Sequence, residues 1–238
     1  MIKEALEYIV GLDKPEIMEI CGQKYSDKKL NRVTYNPKAD YIEMSTLTGL
    51  VDYIKAEIDQ MAVHMIVQVV SPLEVRLISE LDTDRIRETL AVINGTVPNF
   101  QYGSYMDHES FIIALQAKFL ENDSRDLLIK FAGTVENGTV SNYGDDGVTQ
   151  KATIRKGVAS KEDALVPNPV KLRPYRTFME VQQPESSFVF RMRDDGRGGV
   201  QCAIFEADGG AWRNAAMKSV KEYLDFELSN FKQFTVIS

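Results

Sequence analysis

The chain has 238 residues, of which 44% are hydrophobic and 26% are charged, and its formal net charge is −7 at pH 7. This composition argues against a disordered chain, and the absence of any run of about 18 apolar residues argues against a membrane-spanning helix. The two cysteines, Cys21 and Cys202, are too few and too far apart for a disulfide framework or a CxxC metal site, which predicts a reducing cytoplasm.

The first third of the chain predicts a helix, a small strand pair and a second helix. Residues 2–10 have an amphipathic pattern whose acids interrupt the apolar stretch, which predicts a short helix rather than a signal peptide. Turn residues around Gly22 predict a hairpin within residues 16–35. Residues 45–60 predict a longer helix capped by Ser45 or Thr46. Its apolar stripe consists of Leu47, Leu50, Val51, Ile54 and Ile58.

The middle of the chain predicts two strands followed by three helical segments. Residues 62–71 and 73–79 are rich in β-branched or alternating apolar residues, and Pro72 between them favours a bend or a tight hairpin. We interpret residues 82–95 as a helix capped near Asp82 or Thr83. A helix is predicted over 107–122, capped by Asp107 and with its apolar face at Phe111, Leu115 and Phe119. Residues 123–135 predict a further helix or a helix followed by a strand.

The last third predicts mostly strands and one long helix. A turn at Asp145, Asp146 and Gly147 precedes an alternating strand, and four prolines between 163 and 186 predict extended backbone. Residues 188–193 and 200–207 predict a hairpin, followed by a helix from Gly209 to about Leu228 and a tail that adds an edge strand. The fold class is therefore α+β, with a mixed, mostly antiparallel sheet and packed helices. We expect one compact unit over residues 1–238, with any sub-boundary in the stretch 163–186.

The stretch "FEADGGAW" at 205–212 is predicted to be the corner between the last hairpin and the last helix. Asp208 is expected to cap the helix, while Gly209 and Gly210 allow a sharp turn. Trp212, the only tryptophan, is expected to anchor the helix in the core. Glu206 has no structural role in this interpretation, so its replacement should be nearly silent for folding.

Motifs of common enzyme classes are absent from the sequence, including nucleotide-binding glycine loops and metalloprotease or hydrolase signatures. His64, in an apolar strand, is expected to be a core residue, and His108 a surface residue in the first turn of a helix. Acidic turns leave a divalent metal site as an alternative, because converging carboxylates can bind Mg²⁺ and support phosphoryl chemistry. The candidate ligands are Asp145, Asp146, Glu206 and Asp208. The competing interpretation is that Asp-Gly pairs simply form turns.

A basic segment with aromatic residues is the second candidate site. Residues 151–176 contain seven basic and two acidic residues in an otherwise acidic chain. Arginines can contact phosphates while neighbouring rings stack on unpaired bases, which is typical of single-stranded nucleic-acid binding. The candidate residues are Arg173, Tyr175, Arg176, Phe178, Arg191 and Arg193. The alternative is that Arg173 and Arg176 pair with acids such as Glu180 and Glu185.

Four stretches carry a resemblance to a known family: "STLTGLVDYIKAEID", "DDGVTQKATIRKGVA", "PYRTFMEVQQPESSFVFRMR" and "FEADGGAWRNAAM". In their order and spacing, the chain resembles the YfdQ-like family of phage and prophage proteins, a domain of unknown function. The resemblance implies a phage or prophage origin and a location in the bacterial cytoplasm, and it implies no catalytic residue.

The sequence therefore leads to three functional hypotheses. The first is a non-enzymatic phage accessory protein that acts by binding and self-association, without a cofactor or a membrane, with a second copy or a host protein as its partner. The second is a single-stranded nucleic-acid binding or annealing protein. The third is a metal-dependent phosphodiesterase that acts on nucleotides.

Overall fold

The computed structural model describes residues 2–12, 15–29, 38–59, 61, 64–83, 85–136, 139–145, 150–156, 160–166, 168–194 and 199–238. The chain divides into two compact units, Met1–Ala39 and Asp40–Ser238. The division therefore lies between Ala39 and Asp40, whereas the sequence placed any sub-boundary in the proline-containing stretch 163–186.

The N-terminal unit contains one helix and one hairpin among its described residues. Helix α1 spans Ile2–Leu12, and strands β1 (Ile17–Ile20) and β2 (Gln23–Ser26) pair antiparallel. Cys21 and Gly22 form the turn with φ angles of 54° and 79°, the left-handed region that a two-residue hairpin turn requires. The predicted helix and hairpin are confirmed.

The larger unit contains strands and helices in a mixed order. In chain order they are β3 (Ile42–Met44), α2 (Leu47–Lys55), β4 (Met65–Ser71), β5 (Glu74–Ser79), β6 (Thr89–Asn94), β7 (Met106–Asp107), α3 (His108–Lys118), α4 (Asp123–Glu136), β8 (Thr139–Asp145), β9 (Gln150–Lys156), β10 (Ser160–Val166), β11 (Val170–Leu172), β12 (Ser186–Asp194), β13 (Val200–Glu206), α5 (Ala211–Glu227) and β14 (Phe234–Ile237).

A five-stranded sheet of order β14-β4-β5-β6-β3 forms the first core of this unit. Strands β4, β5 and β6 pair antiparallel, while β14 and β3 join the two edges in parallel orientation. Helices α2 and α5 pack on this sheet, α2 through the predicted apolar stripe and α5 through Val220 and Leu224. Thr46 caps α2 by accepting a hydrogen bond from the Gly49 amide, as expected. Ile58 lies beyond the end of α2 and is exposed, so its placement in the stripe was wrong.

A four-stranded sheet of order β11-β12-β13-β7 forms the second core. Helices α3 and α4 cover one face of this sheet, and Phe111, Leu115 and Phe119 are buried there as predicted. Asp107 caps α3 by accepting from the Ser110 amide at 2.9 Å. Strands β8, β9 and β10 form a third, antiparallel sheet next to α4.

The helix predicted for residues 82–95 is wrong, because this segment ends in strand β6. Ala91 and Ile93 are buried and alternate with half-buried or exposed neighbours, which is the two-residue period of a strand. Their backbones pair with β5 on one side and β3 on the other. The spacing of Ile86, Leu90 and Ile93 also fits a helix, but Ile86 is exposed, so long-range pairing overrides the local pattern.

The side chain of His64 is exposed, so the prediction that it lies in the core is wrong.

The α+β class, with mostly antiparallel strands and a C-terminal hairpin followed by a long helix, is confirmed.

Candidate functional site

The six residues of the predicted basic-aromatic site divide between the interior and one sheet face. Phe178 is only 2% exposed and belongs to the core under the five-stranded sheet, where its ring lies against Gly95. Arg176 is 6% exposed. Neither side chain is available to stack on a base or to reach a phosphate from solvent.

Arg176 is instead enclosed by three aromatic rings and one carboxylate. Its Cζ atom lies 4.5 Å from the centroid of the Trp212 ring, and about as close to the rings of Tyr102 and Phe188. Its Nη1 atom donates to Glu206 Oε1 at 2.6 Å. We call these five residues the arginine cage. Because they come from four separate segments, the cage ties the start of α5 to the hairpin of β12 and β13.

The electrostatics of the arginine cage reflect its burial. Desolvation lowers the pKa of Arg176, although Tyr102 and Glu206 oppose that shift. Burial likewise raises the pKa of Tyr102 to about 12. Among the described residues, neither Nε nor Nη2 of Arg176 has a hydrogen-bond acceptor, so Glu206 and the ring faces carry its stabilisation.

Glu206 thus has the structural role that the sequence did not assign to it. Its side chain is 33% exposed, and it is the ion-pair partner of the buried Arg176. The premise that Glu206 has no structural role is therefore wrong, and we now expect its replacement to cost stability, because the change would remove the ion-pair partner of a buried cation.

Gln183 is a second structural residue that sequence reasoning missed. It is buried, and its Oε1 atom accepts from the amides of Arg176 and Thr177. Its Nε2 atom donates to the carbonyls of Thr177 and Phe178. One side chain therefore satisfies four backbone groups of a buried turn. The only sequence signal is that the turn 174–184 contains prolines and needs partners from outside a regular ladder.

Of the other four predicted residues, Arg191 and Arg193 lie on the face of the four-stranded sheet opposite α3 and α4, whereas Arg173 and Tyr175 lie beyond the end of β11. In β12, Phe188, Phe190 and Met192 are buried towards the helices, so Arg191 and Arg193 point to the opposite side. Lys171 of β11 is exposed between two buried neighbours and lies opposite Ser187, on the same side as these arginines. We call this side the outer sheet face.

Arg173 and Tyr175 follow Lys171 at intervals of two residues, beyond the end of β11. Arg173 pairs with Glu185 at 3.5 Å, which continues the register of β11 against β12. Both residues line a cavity of about 560 Å³ with Arg125, Gln116 and other residues near the start of α4. The donors of Arg125 are already used by Asp126, Glu121 and the Phe119 carbonyl. The cavity therefore offers an anion little beyond Arg173.

Aromatic residues also lie on the outer sheet face. The Cζ atom of Arg193 is 4.0 Å from the centroid of the Tyr105 ring, and its Nε donates to Gln201. Tyr105 also meets Phe205 edge-to-face, with 6.1 Å between ring centroids. Tyr105, Phe205 and Arg193 thus form one continuous aromatic-basic patch, which the sequence did not assemble because Tyr105 comes from a distant loop.

The corner at 205–212 differs in detail from its prediction. Gly210, with φ of 82°, occupies the N-cap position of α5, and no side chain caps the helix. Asp208 instead accepts from the Gly210 amide at 3.0 Å, so the prediction that Asp208 is the N-cap was wrong. Gly209 also has a positive φ, as a sharp turn requires. Trp212 is half-buried against Arg176 rather than in either hydrophobic core.

The carboxylates proposed as metal ligands are placed as follows. Asp146 lies outside the described residues, and so does the side chain of Asp145. Glu206 is engaged by Arg176, and Asp208 by the turn. Burial alone would raise the pKa of Asp208, but Ser186, the Gly210 amide and the Arg176 charge together outweigh it and hold the pKa below its usual value. Within the described part of the chain, no three His, Cys, Asp or Glu side chains are grouped to hold a metal ion.

The two faces of the N-terminal hairpin differ: one carries polar residues together with Ile17, which is 62% exposed, and the other carries mostly apolar residues. Glu19 lies opposite Lys24 on the polar face, whereas Met18 lies opposite Tyr25 on the other, next to Ile20. Met18 and Ile20 are each 54% exposed and Tyr25 is 49% exposed. We call Met18, Ile20 and Tyr25 the hairpin apolar face.

Comparison with known proteins gives no family assignment: no protein-family model, no curated protein and no solved structure matches the chain. The resemblance to the YfdQ-like family therefore stays a prediction. No helix among the described residues has the length and apolar character needed to cross a membrane.

Proposed function

We propose that this protein works by binding rather than by catalysis, and that it self-associates through the hairpin apolar face. The observation that carries the proposal is the exposure of Met18, Ile20 and Tyr25 on one side of a two-stranded sheet. A phage or prophage origin belongs to the same proposal and rests on the sequence resemblance alone.

Elementary energetics support a partner for this face. A two-stranded hairpin is marginally stable in water unless its apolar face packs on something. Every residue of β1 is exposed, so the sheet buries neither of its faces within the described structure. Covering Met18, Ile20 and Tyr25 would bury apolar surface at a gain of about 25 cal/mol per Å².

Charge supports a second copy of the chain as that partner. The chain carries a net charge of −7, so two copies repel each other through most of their surfaces. Residues 1–39 are nearly balanced, with seven basic and six acidic residues. Two N-terminal units can therefore meet face to face without that repulsion, and most soluble oligomers are closed assemblies of identical chains.

Light scattering coupled to size-exclusion chromatography tests the proposal with two matched variants. Met18→Lys places a charge on the hairpin apolar face, whereas Ile17→Lys makes a similar change on the neighbouring residue of the polar face. The wild type and Ile17→Lys are expected to elute as a multiple of the 26.9 kDa chain, and Met18→Lys as the monomer. A wild-type mass of one chain at every concentration would refute self-association.

The position of the interface can be read from Cys21. This thiol is exposed in the hairpin turn, whereas Cys202 is buried and burial raises its pKa to about 12. A thiol-reactive spin label should therefore modify Cys21 selectively. If copies meet through the hairpin, dipolar coupling between labels should appear in the wild type and vanish in Met18→Lys. An oligomer without such coupling would place the interface elsewhere.

A further inference from the structure

We infer that the outer sheet face binds single-stranded nucleic acid. Three cationic side chains lie on this face: Lys171, Arg191 and Arg193. Within a strand, side chains two residues apart lie on the same side at about 7 Å, so Arg191 and Arg193 form a short basic row along β12.

The outer sheet face is positive although the chain is acidic. The carboxylates on the same side are Glu185, which pairs with Arg173, and Asp107, which lies opposite Gln201 and caps α3. Because Glu185 is neutralised by Arg173, the three cations of this face exceed its one remaining described carboxylate, Asp107, on a chain of net charge −7. This segregation favours a polyanion at this face and disfavours it over most of the remaining surface.

The aromatic residues identify which polyanion fits best. Tyr105 and Phe205 are half-buried, and they lie beside Arg193 rather than in the core under α3 and α4. Aromatic side chains on a sheet stack on bases that are not paired, and arginine adds stacking and phosphate contacts. An acidic peptide would use the cations alone, and a duplex keeps its bases stacked on one another. Single-stranded DNA or RNA uses both kinds of side chain.

The test is a fluorescence-anisotropy titration of the full chain against labelled oligothymidine and oligouridine of about 20 nucleotides, beginning at about 50 mM salt. The wild type is expected to bind at least one of the two. Arg191→Gln combined with Arg193→Gln should weaken binding about tenfold. It should also reduce the slope of log affinity against log salt by about 1.4, because each lost phosphate contact removes about 0.7 on a single strand.

A matched control removes two charges elsewhere. Lys218→Gln combined with Lys232→Gln changes two exposed lysines in the C-terminal part of the chain, and the affinity of this variant should stay within about twofold of the wild type.

Tyr105→Leu should weaken binding about fivefold with an unchanged salt slope, because it removes a stacking surface and no charge. Melting curves establish that each variant folds. If the double arginine variant does not, Arg193→Gln alone should show half of its change in slope.

Three results would overturn the inference. The first is no binding by the wild type at low salt, and the second is equal weakening by the arginine pair and the lysine pair. The third is binding of polyglutamate as tight as binding of the oligonucleotides, which would mean that charge alone is recognised. Repeating the titration with Met18→Lys separates this inference from self-association, because the substituted residue lies in the other compact unit.

Discussion

Replacing Glu206 by Gln tests whether the arginine cage stabilises the fold. Arg176 is 6% exposed and donates to Glu206 at 2.6 Å, and its other nitrogens find no acceptor among the described residues. The substitution keeps the size of the side chain and removes its charge. The buried guanidinium is then left with the faces of three aromatic rings and the neighbouring charge of Asp208.

The loss of unfolding free energy expected for Glu206→Gln depends on how deeply each partner of the ion pair is buried. Breaking a fully buried pair costs about 3–5 kcal/mol, because the remaining charge is uncompensated. The Glu206 side chain is 33% exposed, so water already screens part of the interaction. The rings retain about 0.5–2 kcal/mol of cation–π attraction to Arg176. We therefore expect a loss of about 2 kcal/mol, equivalent to a fall in Tm of about 4–8 °C for a chain of this size.

The assay is urea denaturation of four proteins: the wild type, Glu206→Gln, Arg176→Met and the double variant. Removing both charged groups avoids the buried unpaired cation, so the double variant should be more stable than the sum of the single losses predicts, by about 1–2 kcal/mol. Glu222→Gln is the matched control, since Glu222 is 65% exposed and pairs with Lys218 on the surface of α5. That control should lose less than about 0.5 kcal/mol.

The reasoning would be refuted if Glu206→Gln cost no more than Glu222→Gln. A double variant whose loss equals the sum of the single losses would also contradict it, because the two side chains would then be energetically independent.

Three further predictions concern single residues. Gln183→Ala removes hydrogen bonds from four backbone groups of a buried turn, of which the Phe178 carbonyl keeps the Val181 amide, and should cost about 3 kcal/mol in urea denaturation, whereas the exposed Gln182→Ala should change stability by less than about 0.5 kcal/mol. Gly210→Ala should cost about 1–2 kcal/mol because the φ of Gly210 is 82°, a conformation that an L side chain strains; equal stability of the wild type and the variant in thermal melts would contradict this. Asp107→Asn keeps an N-cap but removes a carboxyl whose pKa is lowered chiefly by the Ser110 amide. Because that stabilisation is present above the ordinary pKa of 3.8 and is lost as pH falls through the lowered value, stability should fall less in acid for the variant than for the wild type.

Most helices and strands of the fold were predictable because their signals are local. Thr46 and Asp107 cap α2 and α3 as the sequence indicates, since a cap depends only on the next three residues. The alternation in β12 and β13 likewise identifies a hairpin without any long-range information. The wrong helix at 82–95 shows the limit: its apolar spacing fits two periods, and pairing with β5 and β3 decides between them.

The candidate sites were less predictable, because closeness along the chain does not determine which side of a sheet a residue occupies. Arg173 and Arg176 are three residues apart, yet one reaches the cavity beside α4 and the other is enclosed in the arginine cage. Tyr105 reaches Arg193 only because its loop runs along the edge of β13. Such contacts between distant side chains depend on strand register and sheet topology, which local sequence patterns do not specify.

The sequence by itself determined the α+β class, the caps of α2 and α3, the glycine corner before α5 and the hairpin of the N-terminal unit. Each of these depends on periodicity, backbone conformation or charge within a few residues. Only the tertiary structure decided that Glu206 holds a buried arginine, that Gln183 satisfies a buried turn, and that the surface arginines share a face with Tyr105 and Phe205. Those outcomes follow from contacts between distant segments, whose geometry is fixed when the sheets pair and the helices pack.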